Sequence, residues 1–324
     1  MHRRTLVLGL TALCASPFTI AQQPGRMPRI GVMVVVPIGH VFVESFRQGL
    51  REHGYIEGKN IQVDYRSAEG AVDRLHAIAA DFVRQNVDLI VAGGGTASAR
   101  AAIKATSTIP VVFPVAADPV RSGLVRSLAH PGGNATGQEF FDIEMSAKRM
   151  QLLKEVRPKA ARVAVLADPS VAVYREQVSA TRKAADTFAI EVLILDIRDP
   201  GELNAAFDAA VKWRADALMN LASGFLATHI KQVLDLAQQK RLLAFWSDRI
   251  YPDAGGLLSY GVDVAYLYRT SARYVDRILK GAKPGELPVE QATKFELVVN
   301  LKTAKALGIA IPPAVLVRAD KIIE

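Results

Sequence analysis

Residues 91–107 read VAGGGTASARAAIKATS. Just before the glycines, Val87–Ala92 is mostly apolar, as expected of a parallel strand buried on both faces. Gly93, Gly94 and Gly95 follow, and an alanine-rich helix opens at once. A strand, a glycine turn and a helix in this order mark an α/β unit. Backbone N–H groups at such a helix start attract anions. The loop imitates a dinucleotide fingerprint as G-x-G-x-x-S, with Ser98 where a glycine belongs. It follows the third strand, whereas the fingerprint follows the first. The lysine of a Walker A loop is absent. A nucleotide is therefore disfavoured. A small anion at the helix start, or a tight turn with no ligand, stays open.

Working outward, the same alternation runs along the chain. Arg29–Val36 reads as a first strand. Phe42, Phe46 and Leu50 recur every four residues, and Gly54 closes that helix. Asn60–Tyr65, Ile109–Val115 and Ala135–Phe140 read as strands, and Leu75, Ile78 and Phe82 as a helical stripe. The pattern restarts near residue 140. Met150, Leu153 and Val156 share a helix face, and Arg162–Ala167 is a strand. Segments 171–188, 201–213 and 226–239 read as helices, with strands at 190–195, 215–221 and 242–246. Leu257–Tyr260 is a strand, 264–280 a helix, Gly281–Gln291 a connector, Phe295–Asn300 a last strand and Leu301–Leu307 a last helix. The fold class is α/β, with two doubly wound parallel-sheet units.

Composition agrees with a folded chain: 324 residues, 50% hydrophobic and 22% charged, net charge +8. The start differs from the rest. Met1, His2, Arg3 and Arg4 form a basic head, Leu6–Ala15 is short and apolar, and Thr19, Ile20 and Ala21 resemble a cleavage site. Residues 1–21 are expected to be a signal peptide, exported by the general or the twin-arginine route to the periplasm. The one cysteine, Cys14, falls inside it. Basic residues are mixed with acids, and no basic stripe interleaves with aromatics, so no nucleic-acid partner is expected. The six histidines (His2, His40, His53, His76, His130 and His229) lack ligand spacing. No metal, cofactor or thiol nucleophile is expected. Gly256–Gly261 imitates a nucleophile elbow, but Ser259 has the wrong spacing and no strand-turn-helix context.

Polar and aromatic residues gather at strand ends. Thr96, Ala97 and Ser98 follow one strand and Asp118 the next. Asp168 and Ser170, then Ser223 and Phe225, follow strands of the second half. Trp246, Ser247 and Asp248 follow another. Open α/β sheets bind ligands beyond the carboxyl ends of their strands, so two facing sheets would line one cleft.

The stretches GYIEGKNIQVDYR (54–66), ADPVRSGLVRSLAHPGGNATG (117–137) and AGGLLSYGVD (254–263) carry a resemblance, as does ILKGAKPGELPVEQATKFELVVNLKTAKALGIAIPP (278–313). They resemble the ABC-transporter substrate-binding proteins of periplasmic binding protein type I fold, in the branch that includes tryptophan-binding members. The resemblance implies two lobes joined by a three-crossover hinge, crossing near 139–144, 259–264 and 291–300. The expected lobes are 28–140 with part of 264–290, and 141–260 with part of 291–324. It implies a non-catalytic, monomeric carrier of a small molecule, an amino acid or related carboxylate, that works with an inner-membrane ABC permease. Backbone N–H groups at Thr96, Ala97 and Ser98 would hold a carboxylate, with the Thr96 and Ser98 hydroxyls as further donors. Asp118 or Asp248 would accept from an amine or hydroxyl. Ser170 would lie in the cleft, and Phe225, Trp246 and Tyr260 would wall an apolar moiety. The family tends to carry proline where this chain has Ala97, and often Asn-Pro where it has Asp168 and Pro169. A periplasmic sensor for a membrane receptor is the alternative; a secreted α/β hydrolase would need a nucleophile and base that do not assemble.

Overall fold

The computed structural model describes residues 26–140 and 145–324. The expected signal segment with Cys14, and residues 141–144 of the first expected crossing, lie outside them. The first stretch runs β1 (Arg29–Val34), α1 (Val41–Glu52), β2 (Gln62–Ser67), α2 (Arg74–Arg84), β3 (Leu89–Ala92), α3 (Thr96–Ala105), β4 (Val111–Ala116) and β5 (Ala135–Glu139). The second runs α4 (Met145–Val156), β6 (Arg162–Ala167), α5 (Tyr174–Thr187), β7 (Glu191–Asp196), α6 (Glu202–Lys212), β8 (Ala217–Asn220), α7 (Gly224–Thr228), α8 (Ile230–Gln239), β9 (Ala244–Trp246), α9 (Ile250–Asp253) and β10 (Leu258–Val262). The remainder is α10 (Val264–Leu279), β11 (Glu290–Gln291), β12 (Phe295–Asn300), α11 (Leu301–Leu307), α12 (Pro313–Leu316) and β13 (Lys321–Ile323).

Two sheets result, in the orders β11-β5-β4-β3-β1-β2 and β13-β12-β10-β9-β8-β6-β7. Each is the centre of one lobe. Strand period sorts the side chains: Ile30, Val32 and Val34 of β1 face one buried layer, and Met33 faces the other. β6 repeats this, with Ala164 and Leu166 on one face and Val163 and Val165 on the other. Burial on both faces is why these runs are apolar throughout. In α1 the buried residues Phe42, Val43, Phe46, Gly49 and Leu50 form one stripe, and Gly54 follows at φ 82°. That is a left-handed stop which glycine adopts without steric cost.

The chain changes lobes after β10. α10 packs along α1 and against β4, in the first lobe, and β11 then pairs with β5 there. Only residues 292–294 separate β11 from β12, which enters the second sheet from its cleft end. β12 therefore runs antiparallel to β10, whereas wholly parallel sheets were expected. Other departures are local. The expected helix 226–239 breaks at His229 into α7 and α8. β13 pairs with β12 beyond the expected last strand, and α9 occupies what reads as a loop.

One apolar cluster passes through both lobes. It holds Val36, Phe42 and Tyr268 from the first, and Phe225, Ile250 and Tyr251 from the second. At the rim Arg121 Nη1 pairs with Glu176 Oε1 across the lobes at 3.2 Å.

Candidate functional site

The carboxyl ends of both sheets face a cleft of about 1100 Å³, part of it open solvent. On the first lobe, Gly94 (φ 124°) and Gly95 (φ 81°) bring the chain from β3 into α3. A Cβ on Gly94 would lie 2.6 Å from Val35 Cγ2, and the φ is one that L side chains rarely adopt. The turn therefore requires glycine, and it presents the first backbone N–H groups of α3, which have no intrahelical acceptor, at the cleft. Beside it Phe42 stacks on Tyr268, with centroids 5.3 Å apart. His40 Nδ1 accepts the Phe42 N–H at 3.3 Å, and its ring meets Phe42 edge-on. Burial lowers His40 to about 4, so near neutral pH its ring carries no charge and Nδ1 can accept.

The second lobe supplies three strand ends. After β6, Asp168 Oδ1 accepts from the Ser170 N–H (2.9 Å) and hydroxyl (2.6 Å), and Oδ2 accepts from the Ser223 hydroxyl (2.7 Å). Ser223 in turn accepts the Leu226 N–H and caps α7. This network ties two strand ends together and leaves Phe225 on the cleft wall. After β9, Asn220 holds Ser247 through backbone and side chain, at 2.9 and 3.0 Å. Asp248 comes next. It is 7% exposed; Oδ1 accepts the Ile250 N–H at 2.8 Å, and buried Oδ2 has no hydrogen-bond partner. Burial pushes its carboxyl up to about 7; the Ile250 N–H opposes that, Asp263 and Glu296 add to it, and Arg249 opposes. Tyr251 also borders the cleft, and burial raises its hydroxyl well above the usual range.

Of the residues expected in the site, the structure brings Thr96, Ala97, Ser170, Phe225 and Asp248 onto this cleft. The Thr96 hydroxyl is not turned to it: it accepts from the Ala117 N–H (3.1 Å) and donates to the Ala117 carbonyl (3.2 Å), clipping α3 to β4. Ser98, Asp118, Trp246 and Tyr260 are not on the wall. Ser98 is fully buried within α3. Asp118 caps its own turn, accepting the Arg121 N–H, and holds the Arg121 guanidinium at 2.8 Å. Trp246 is fully buried and stacks on Tyr251 at 4.7 Å, behind the wall. Tyr260 packs on the second lobe's inner cluster, and its carbonyl accepts from Arg149 Nε at 2.7 Å. Phe42, Tyr251 and Tyr268, on the wall, were missed. Phe42 and Tyr268 occupy helix stripes that read as core; the usable signal was their place in the opening turns of helices that follow strand ends.

Among the described residues, no group of three or more His, Cys, Asp or Glu is placed to hold a metal ion. The wall has one carboxylate oxygen without a partner, one glycine-opened helix start and several aromatic rings. That arrangement can hold a small molecule with a cationic end, an anionic end and an apolar body.

Residues 29–323 match the family model described as ABC transporter substrate binding protein. A tyrosine-binding protein of Clostridioides difficile is 30% identical over 265 residues, which are 82% of this chain and 75% of that one. The structure of an ABC domain in complex with L-Trp from Streptococcus pneumonia is 26% identical, with TM-score 0.83 over 92% of this chain and 100% of that one. A ligand-free, open substrate-binding protein with adhesive properties from Clostridium difficile is also 26% identical. It reaches TM-score 0.64 over 91% and 99% of the two chains. At equal identity, the chain superposes more closely on the tryptophan-bound structure than on the open one.

Proposed function

We propose that this chain, which belongs to the ABC transporter substrate-binding protein family, captures an amino acid with an apolar or aromatic side chain outside the cytoplasm and passes it to an ABC permease. The observation that carries the reading is Asp248 Oδ2, a buried carboxylate oxygen without a partner on the cleft wall. Its natural counterpart is an ammonium group, since a buried charge needs a partner. The N–H groups of Thr96, Ala97 and Ser98 take the carboxylate. Phe42, Phe225 and Tyr268 pack the side chain, whose burial supplies most of the affinity. The tyrosine-binding and tryptophan-bound relatives support the aromatic choice.

The ligand contacts both lobes and so favours the closed arrangement over the open one. L-tyrosine, L-tryptophan and L-phenylalanine should each raise the melting temperature of the purified protein. A ligand at 100 times its Kd adds roughly 2.7 kcal/mol. Absence of any shift with these three, in a calorimeter that detects a control ligand on a known relative, would reject the reading.

The rim pair contributes less. Arg121 and Glu176 are both partly exposed, and such pairs give about 0.2–1 kcal/mol. Arg121→Gln should speed ligand release about two- to fivefold with little change in association rate, by stopped-flow fluorescence. A larger change in association than in release would argue against a closing role.

A further inference from the structure

One face of α3 leads out of the cleft. Ala97, Arg100 and Lys104 follow at intervals of three and four, so they share that face. Ala97 lines the cleft. Arg100 and Lys104 line an adjoining groove, together with Leu75 and His76 from α2 and Ser170 and Ala172 from the second lobe. Val72, Ala97, Ser170 and Ala172 border both spaces, so the groove continues the cleft. At 1.5 Å per residue it extends about 10 Å beyond the start of α3.

The walls of the groove are positively charged and lack a countercharge. No carboxylate lines it. The Lys104 and His76 side chains make no hydrogen bond or ion pair among the described residues. Arg100 gives one N–H to the Ser122 carbonyl at 3.2 Å and keeps the rest of its planar fork. The nearby rim carboxylates, Asp118 and Glu176, are both engaged by Arg121. Asp73 lies one turn before His76 on α2 but is not among the walls.

We infer that this groove is an anion subsite for a ligand longer than one amino acid, namely a dipeptide with an acidic second residue. The inference rests on the amino-acid reading of the cleft. With the first residue's ammonium at Asp248 and its carbonyl at the start of α3, the next residue passes Ala97 into the groove. Its side-chain carboxylate then meets Arg100 and Lys104, the guanidinium offering two parallel N–H donors.

The test compares the C-terminal amides of L-phenylalanyl-L-aspartate and L-phenylalanyl-L-asparagine, alike in shape and differing only in the side-chain charge, by isothermal titration on the full-length protein. The acidic dipeptide should bind about tenfold more tightly at low salt, the combined effect of two or three exposed ion pairs. The preference should shrink at 0.5 M salt as these charges are screened. In Arg100→Gln with Lys104→Gln the ratio should fall to near one, with asparagine-dipeptide affinity and melting temperature unchanged. Lys104→Gln alone, which leaves the Arg100–Ser122 contact in place, should halve the preference or more. Equal affinities in the unmodified protein, or a preference that survives the double substitution, would overturn the subsite while leaving the cleft reading intact. Failure of L-phenylalanine, L-tyrosine, L-tryptophan and both dipeptides alike would overturn the cleft reading and this inference together.

Discussion

Asparagine in place of Asp248 should stabilise the ligand-free protein above neutral pH and cut its affinity for an amine-bearing ligand at least a hundredfold. Both effects have one origin. The carboxyl is buried, Oδ2 has no partner, and its pKa stands at about 7 against an ordinary 3.8. A carboxyl raised on folding holds its proton more tightly in the folded state. Its contribution to stability is intact below about pH 4 and is lost as pH rises through about 7. Above that, the folded protein carries a buried charge that the asparagine variant lacks. That rise from 3.8 to about 7 corresponds to at most about 4 kcal/mol. Asparagine keeps the shape and can still accept the Ile250 N–H through its carbonyl oxygen. The two proteins should melt alike near pH 4, diverge progressively between about pH 4 and pH 7, and differ by a constant amount above that, with asparagine the more stable.

The ligand reverses this order. An ammonium at Oδ2 pairs the charge, and losing one partner of a buried pair removes about 3–5 kcal/mol. Because only the ionised carboxylate offers that pairing, affinity in the unmodified protein should fall about tenfold per pH unit below pH 7, and stay flat in the variant. Titration calorimetry across pH 5–8 reads both. Unchanged affinity in the variant would remove Asp248 from the site.

Methionine in place of Arg149 should lower the unfolding free energy by about 2–6 kcal/mol, with a matching fall in the urea midpoint. Arg149 lies on α4 and is fully buried. Its Nε donates to the Tyr260 carbonyl at 2.7 Å, and Nη2 donates to the Ser247 carbonyl at 3.3 Å. These carbonyls stand on β10 and just after β9, so one guanidinium joins two strand ends that border the cleft. Methionine fills much of the volume but donates nothing, and each stranded buried acceptor costs about 1–3 kcal/mol. The same spot is tightly packed from the other side: a Cβ on Gly261 would collide with the Ser247 carbonyl oxygen. Since Asp248 follows Ser247 directly, the variant should also lose ligand affinity. A urea midpoint equal to that of the unmodified protein would show that the strand ends hold without this guanidinium.

Local chemistry was readable where one element decides it. The apolar run Val87–Ala92 and the fourfold spacing of Phe42, Phe46 and Leu50 are consequences of burial within a strand and along a helix, and β3 and α1 follow them. Distant partners were not readable. The direction of β12 depends on the chain's having visited the other lobe, which leaves no trace in Phe295–Asn300 itself. β11 is two exposed residues, too short for any pattern. In the cleft, position after a strand end pointed to Ala97, Ser170, Phe225 and Asp248, which line its wall. It did not tell which neighbours point inward: Trp246 lies behind Tyr251, and Thr96 bonds the end of β4, because adjacent strands and helices decide each rotamer.

The path of α10 also governs the order in which this chain can fold. Tyr55 bonds Asp276 across 221 residues, and Glu52 bonds Arg269 across 217. A ribosome that has released residue 260 has made five strands of the first sheet but not the helix that covers α1 and β4, nor the sixth strand. That half cannot close until nearly the whole polypeptide has emerged, and such long-range closure is slow. Until α10 arrives, the apolar strands of that half lack part of their cover and are open to a chaperone.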